Sequence, residues 1–199
     1  MLKTSEVRIG APDQKTTGAI KHAPVGTELP DLSKIKAAEV TLDPQFKGDE
    51  YVSEDGLTLT PSMSTSDIKE WSGTTVRRVL ESFDGTISWT MLSTNANSLG
   101  IAFGSKYVES QEASSDHGAQ VGVKLGAHLP EPQSWVFLMK DGDARMVIVV
   151  PNGQVTEVGE VTFSAKEAVA WEVTLSCYPD EKGECIYIYT DDGQVSEAA

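Results

Sequence analysis

The side chains that most often carry catalysis or bind metals are few and scattered in this chain. Its three histidines are His22, His117 and His128, and none lies beside a serine or cysteine in the frame of a nucleophile elbow. His117 follows Asp116, as a base and its orienting carboxylate would, but the surrounding SSDHGAQ is typical of a solvated loop. Two cysteines and three dispersed histidines lack the spacing of a zinc site. We therefore expect no metal and no cofactor.

Carboxylates come in neighbouring pairs, but each pair lies near a turn or the end of a strand. The pairs are Asp49 with Glu50, Glu54 with Asp55, Asp180 with Glu181, and Asp191 with Asp192. A glycosidase needs two carboxylates that face each other across a cleft, and adjacent residues do not establish this. DPQFKGDE and DDGQ lack the ligand spacing of a calcium loop, and GSKY lacks the frame of a phosphate loop. The sequence predicts no enzyme.

The chain is strongly acidic: 199 residues include 30 Asp+Glu against 16 Lys+Arg, a formal net charge of −14. Such a surface disfavours tight binding of nucleic acid or anionic membranes, and solubility alone would also explain it. The opening MLKTSEVRIG has no apolar core of a secretory signal, and no apolar run has the length of a membrane helix. We therefore expect folding in a cytoplasm. Cys177 and Cys185 could meet across a hairpin, but a reducing compartment favours free thiols.

Alternation of apolar and polar residues predicts β-strands from residue 50 onward. In GTISWTML, Ile87, Trp89 and Met91 form the apolar set. In VAWEVTLSC, the apolar positions again alternate with Ala170, Glu172, Thr174 and Ser176. The Asp-Gly turn at Asp141-Gly142-Asp143 predicts one hairpin. A second hairpin is predicted to turn through Pro179 to Gly183, with CIYIY covered on both faces.

One segment breaks the alternation. STNANSLGIAFGS predicts a short helix over residues 93–104, with Ser93 or Thr94 as N-cap and Gly104 as its C-terminal stop. Residues 1–35, rich in Gly, Pro and Thr, predict an extended N-terminal arm, and residues 197–199 a short tail. Between them, residues 36–196 predict a single β-rich domain. The predicted fold class is mainly β: an antiparallel β-sandwich or partly open barrel with one short flanking α-helix.

A long polar loop is predicted over residues 61–75, and it contains Trp71. Loops of that length inside a compact domain are usually functional, and a tryptophan is a frequent anchor of an interface. The alternative is that Trp71 folds back to cover its own core. For Arg77 and Arg78, the sequence leaves open a salt bridge to acids on a neighbouring surface or a solvated strand edge.

The chain resembles the major tail proteins, or tail tube proteins, of bacteriophages with long non-contractile tails. Three stretches carry the likeness in order: TTGAIKHAPVGTELP at 16–30, FKGDEYVSEDGLTLTPSMSTSDIKEWSGTTVRRVLESFDGTISWTML at 46–92, and STNANSLGIAFG at 93–104. The second stretch is the most specific, with its YVSEDG strand start, STSDIKEWSG loop and TVRRV. Residues 105–199 fit only as β-hairpins of suitable length.

The resemblance implies a structural virion protein. Its copies would form stacked hexameric rings, the strands of all subunits would join into one inner barrel, and DNA would pass through the lumen into the host. The implied partners are further copies of the chain, a tape-measure protein and DNA in the lumen, and tail-terminator and tail-tip proteins at the ends, with no membrane. The implied location is the virion tail, assembled in the host cytoplasm.

Residue roles follow as expectations from the resemblance and the strand faces together. Lumen-facing positions are expected to be Thr86, Ser88, Thr90, Glu172 and Thr174. Contacts between subunits are expected at Pro24, Leu29, Ile68, Trp71, Arg77 and Arg78.

Two other interpretations stay open. The first is a related ring protein: a tail terminator, a baseplate ring or a secretion-tube component. The second is a monomeric β-sandwich that binds a ligand such as carbohydrate through aromatic side chains, for example Trp135 and Tyr178.

Overall fold

The computed structural model describes residues 7–13, 18–36, 38–48 and 50–195, and these ranges contain nine strands and one α-helix. The strands are β1 Ile20–Pro24, β2 Val52–Lys69, β3 Thr75–Met91, β4 Val108–Gln111, β5 Gln120–Val123, β6 Gln133–Asp141, β7 Ala144–Val158, β8 Trp171–Tyr178 and β9 Tyr187–Asp191. The helix α1 spans Ala96–Phe103, and 3₁₀ turns lie at Leu32–Lys34 and Ser105–Tyr107. The mainly β fold class with one short helix is confirmed.

Seven strands form one antiparallel sheet in the order β1-β6-β7-β8-β3-β2, with β9 as an additional partner of β7. The long strand β7 pairs with β9 through residues 145–149 and with β8 through residues 152–158. Its other edge pairs with β6. Strands β4 and β5 form a separate two-stranded sheet.

The sheet folds over on itself to enclose the main core. Trp89 of β3 contacts Trp135 and Phe137 of β6, with ring centroids 5.4 and 5.5 Å apart. Because β7 and β8 separate these strands in the sheet, the contact requires its two halves to pack face to face. Helix α1 adds Leu99 and Ile101 to the same core. Face-to-face packing with unclosed edges is the geometry of a sandwich.

The second face of β6 and β7 is covered by the chain that precedes β2. Its core joins Val136, Leu138, Val147 and Val149 of the sheet to Ala23, Ile35 and Phe46. The N-terminal arm predicted over residues 1–35 is therefore corrected in part: β1 is a strand of the main sheet, and Ile35 is buried. Residues 1–6 and 14–17 lie outside the described residues, as does the predicted tail at 197–199. The sequence predicts an arm in this segment because its buried residues follow no regular period.

The loop predicted over residues 61–75 is wrong. Strand β2 continues to Lys69, and β3 starts at Thr75. The two strands pair along this whole length, with Ser62 opposite Asp84 and Asp67 opposite Arg78. The backbone ladder satisfies the amide groups of this segment although its Ser- and Thr-rich sequence lacks an apolar alternation. We call residues 62–84 the ribbon.

Three local predictions have different outcomes. The Asp141-Gly142 hairpin is confirmed, with Gly142 at φ 60° between β6 and β7. The helix is confirmed within 93–104, with Gly104 at its end, but the N-cap is Asn95, whose side chain accepts from the Ser98 amide. The second hairpin is wrong, because β9 pairs with β7 and has no ladder with β8. Ile188 of CIYIY is 54% exposed, so this strand is not covered on both faces.

No helix within the described ranges combines the length and the apolar character that crossing a membrane requires.

Candidate assembly surfaces

Four neighbouring strands present a continuous polar face on the side away from the main core. Across β3 and β8, Thr86 lies opposite Ser176, Ser88 opposite Thr174 and Thr90 opposite Glu172. The structure therefore brings together the five positions expected in the lumen. Strand β2 extends the rows with Thr58 and Thr60, and β7 extends them with Gln154 and Glu157. We call this surface the polar sheet face.

Hydroxyl, amide and carboxylate groups make up the polar sheet face. The Thr156 and Ser176 hydroxyls lie 2.8 Å apart, so neighbouring strands also contact through their side chains. The strand segments 57–66, 85–91, 154–158 and 171–178 contain no lysine and no arginine. A surface without cations offers nothing that would hold phosphate groups through release of counterions.

Both margins of the polar sheet face are open within the described chain. Strand β2 pairs only with β3, so its second edge has no strand partner. The ladder between β6 and β7 ends at Gly153, so residues 154–158 pair only with β8. Unpaired strand edges readily template pairing with another chain.

The ribbon projects past the strands that form the body, because β8 pairs with β3 only over residues 85–91. Met63 lies opposite Phe83, and Thr65 lies opposite Leu80, since Glu81 is an extra residue on β3. This bulge keeps Phe83 and Leu80 on one face of the ribbon. Met63, Leu80 and Phe83 are 68%, 57% and 38% exposed. A large apolar stripe is thus open to contact by another molecule.

The tip of the ribbon presents Trp71 fully to solvent, at 105% relative exposure. The alternative that Trp71 folds back on its own core is therefore wrong. Nearby, Arg78 Nε donates to Asp67 Oδ1 at 2.8 Å, which lowers the pKa of that carboxyl. Arg78 thus has a cross-strand partner within its own ribbon, whereas Arg77 lies opposite Ile68, which is also exposed.

The other predicted contact residues lie elsewhere. Pro24 is exposed at the end of β1, and its carbonyl accepts hydrogen bonds from Thr27. Leu29 is partly buried against the second core of its own chain. Trp135, suggested for carbohydrate binding, is 2% exposed and donates its indole N–H to the Gly153 carbonyl at 3.2 Å. Trp135 therefore cannot stack on a sugar at the surface. Of the two aromatic side chains suggested for carbohydrate binding, Tyr178 alone is exposed.

Sequence reasoning missed two polar clusters. His22 packs against Trp135 and lies 3.3 Å from the Asn97 amide oxygen, while Asn97 donates to Glu50. Burial lowers the pKa of His22, with the nearby lysines acting in the same direction and hydrogen bonds opposing it. In the second cluster, Arg145 donates to Asp13 in a buried ion pair.

Among the described residues, no group of three or more His, Cys, Asp or Glu is placed to hold a metal ion. Both cysteines are free thiols, and burial raises the pKa of Cys177 to about 12, so it is protonated and a poor nucleophile at neutral pH.

The structure is similar to two solved structures of tail and tube proteins, with low sequence identity. The chain has 12% identity and a TM-score of 0.43 with the anti-feeding prophage cap that terminates its tube, over 96% of this chain and 100% of the other. It has 12% identity and a TM-score of 0.38 with a protein in the tail of an empty GTA particle, over 83% and 93%. No curated protein sequence matches.

A family model described as "Phage tail tube protein" matches residues 3–199. The match covers nearly the whole chain, including both polar clusters and the ribbon, and it describes a structural family, not an enzyme family. The resemblance seen in the sequence is thereby confirmed. This chain is a structural protein of a phage tail and belongs to the phage tail tube protein family.

Proposed function

We propose that copies of this chain form hexameric rings that stack into the tail tube, and that DNA passes through its lumen into the host. The observation that carries this proposal is the polar sheet face, with two open edges and no lysine or arginine in its segments 57–66, 85–91, 154–158 and 171–178. The hexameric number rests on the resemblance to tail tube proteins.

The open edges support side-by-side assembly. Strand β2 runs antiparallel to β3, β3 to β8, and β8 to β7, so β2 and β7 are themselves antiparallel. The β7 edge of one copy therefore meets the β2 edge of the next in antiparallel orientation, which continues the sheet. Around a closed ring, each copy covers one open edge of each neighbour, so neither the β2 edge nor the β7 edge is left exposed.

In such a ring the polar sheet face lines the lumen, with Thr86, Ser88, Thr90, Glu172 and Thr174 toward the axis. A lumen of hydroxyls and carboxylates lets DNA slide because it supplies no cation to bind the phosphates. The tape-measure protein would occupy the same lumen before DNA, and tail-terminator and tail-tip proteins would close the ends. The protein would be assembled in the host cytoplasm and reside in the virion tail.

The ribbon supports contact between stacked rings. Its strand residues 62–69 extend roughly 25 Å at about 3.3 Å per residue, enough to reach a neighbouring copy. The apolar stripe of Met63, Leu80 and Phe83 and the exposed Trp71 would be buried in that contact. Head-to-tail contacts of this kind propagate into a filament.

A substitution at the tip tests the assembly. We expect Trp71→Ala to give a folded monomer that forms few or no tubes in negative-stain electron microscopy, whereas Trp71→Phe retains an aromatic ring and forms more. Normal tubes from Trp71→Ala would contradict the role of the tip. Closed single rings from the wild-type protein would indicate a tail terminator or baseplate ring instead of a tube.

A further inference from the structure

A cleft of about 710 Å³ lies where the start of β2 faces the segment before and within β1. Its wall is largely apolar and includes Ile20, Val52, Leu57, Leu138 and Met139. Glu54 and Asp55, both exposed, also line it. A cleft of this size is within the range of cavities that enclose an aromatic group.

The cleft and the ribbon tip lie at opposite ends of one strand. The cleft includes residues 50–57 at the beginning of β2, and Trp71 follows the end of β2 at Lys69. Because β2 and β3 pair along their length, the ribbon cannot turn back to place its own indole in the cleft. A Trp71 indole that enters the cleft must therefore belong to another copy of the chain.

The charges at the two ends are complementary. Lys69 and Arg77 flank the tip, both are exposed, and neither has an ion pair within the described chain. Glu54 and Asp55 line the cleft and likewise lack an ion pair among the described residues. Complementary charges around an apolar contact fix its orientation and exclude wrong pairings.

We propose that the cleft is the receptor for Trp71 of a second copy of this chain, with Lys69 and Arg77 of that copy beside Glu54 and Asp55. An indole is a large and rigid anchor that commonly occupies the centre of an interface. Each copy carries one tip and one cleft at opposite ends, so the contact repeats head to tail without limit. This inference rests on the proposed tube assembly, for which it names the receiving surface.

Photo-crosslinking in assembled particles locates the tip. A photoreactive phenylalanine is placed at position 71 and co-assembled with excess wild-type protein, and the crosslinked peptides are identified by mass spectrometry. We expect links to peptides covering residues 9–20 or 50–57 of another copy. Tubes whose links fall only elsewhere would overturn the cleft assignment while leaving the tube intact. A wild-type protein that forms no tubes would overturn the proposed function, and the inference with it.

Charge reversal supplies an independent test. Arg77→Glu should raise the protein concentration needed for tubes by roughly tenfold, because the new carboxylate would be repelled by Glu54 and Asp55 of the next copy. Glu54→Lys in the same chain should restore assembly, because every copy then carries both changes. Glu112→Lys, on the loop between β4 and β5, is the matched control for net charge. If Glu54→Lys did not restore assembly of the Arg77→Glu protein, or if Glu112→Lys restored it equally well, the proposed pairing of Arg77 with Glu54 would be overturned.

Discussion

At the scale of single residues, Trp135 and Trp71 have opposite surroundings. Trp135 lies inside the main core against Trp89 and His22, whereas Trp71 touches solvent on all sides. The local sequence distinguishes them poorly, since Trp71 follows polar residues in IKEW and Trp135 follows polar residues in PQSW. Whether each tryptophan is buried depends on its place in the sheet and on the side chains that pack against it.

We expect Trp135→Ala to lower the free energy of unfolding by about 3–5 kcal/mol, because it leaves a cavity in the core. Trp71→Ala should change it by less than about 0.5 kcal/mol, as is usual for an exposed side chain without partners. Urea unfolding of the monomeric proteins followed by circular dichroism measures both. A loss at Trp71 as large as that at Trp135 would mean that the tip packs on its own body.

His22 makes a second residue-scale prediction, which concerns pH. Burial lowers its pKa in the folded protein below 6.5, so between that folded value and 6.5 the unfolded chain binds more protons. Stability should therefore fall as the pH drops below about 6.5, with a slope of at most about 1.4 kcal/mol per pH unit from this group. His22→Gln should flatten the dependence of the urea midpoint between pH 7.5 and 5.5. Identical slopes in both proteins would refute this assignment.

The residue-scale roles that the sequence could predict are those on alternating strands. Ile87, Trp89 and Met91 are buried, and the Thr and Ser positions between them share the opposite face, as the period of two requires. The contact of His22 with Asn97 and the ion pair of Asp13 with Arg145 span 75 and 132 positions in the sequence. No local pattern encodes such pairs, because they depend on how the whole sheet folds.

At the scale of elements, the ribbon shows why a polar sequence predicts a loop where the structure has paired strands. Residues 61–69 carry polar side chains such as Ser, Thr and Asp on both faces. Their sequence therefore shows neither the period of two of a strand nor the period of 3.6 of a helix. The segment is a strand because β3 continues opposite it, and a long-range partner overrides local propensity. The Asp141-Gly142 turn and the helix before Gly104 were predictable, because their signals are local.

Shortening the ribbon tests its role as an element. Residues 64–82 are replaced by Asn-Gly, a favoured two-residue turn. Met63 and Phe83, which lie opposite each other in the ribbon, then flank the new turn. The removed part has no ladder with the body, so we expect the free energy of unfolding to change by less than about 1 kcal/mol while tubes disappear. Thermal melting and negative-stain microscopy measure the two effects. Full-length tubes from the shortened protein would show that the ribbon is dispensable.

At the scale of the whole molecule, the sequence predicted a β-sandwich or open barrel but not which strands adjoin. The sequence predicts that β9 pairs with β8 because the two are consecutive in the chain, yet β7 is long enough to pair with β8 along one part and with β9 along another. The sequence predicts an arm over residues 1–35, yet residues 20–24 form an edge strand, and Ala23 and Ile35 join a second core. The open edges of β2 and β7 follow from this strand order, and the tube assembly that we propose depends on them.

A helical reconstruction of the purified, assembled protein by cryo-electron microscopy tests the central claim most directly. We expect a hollow tube of stacked six-fold rings in which Thr86, Ser88, Thr90, Glu172 and Thr174 face the lumen and β7 of one copy pairs with β2 of the next. Particles whose lumen is lined by another face of the sheet, or a protein that stays monomeric at all concentrations, would contradict it.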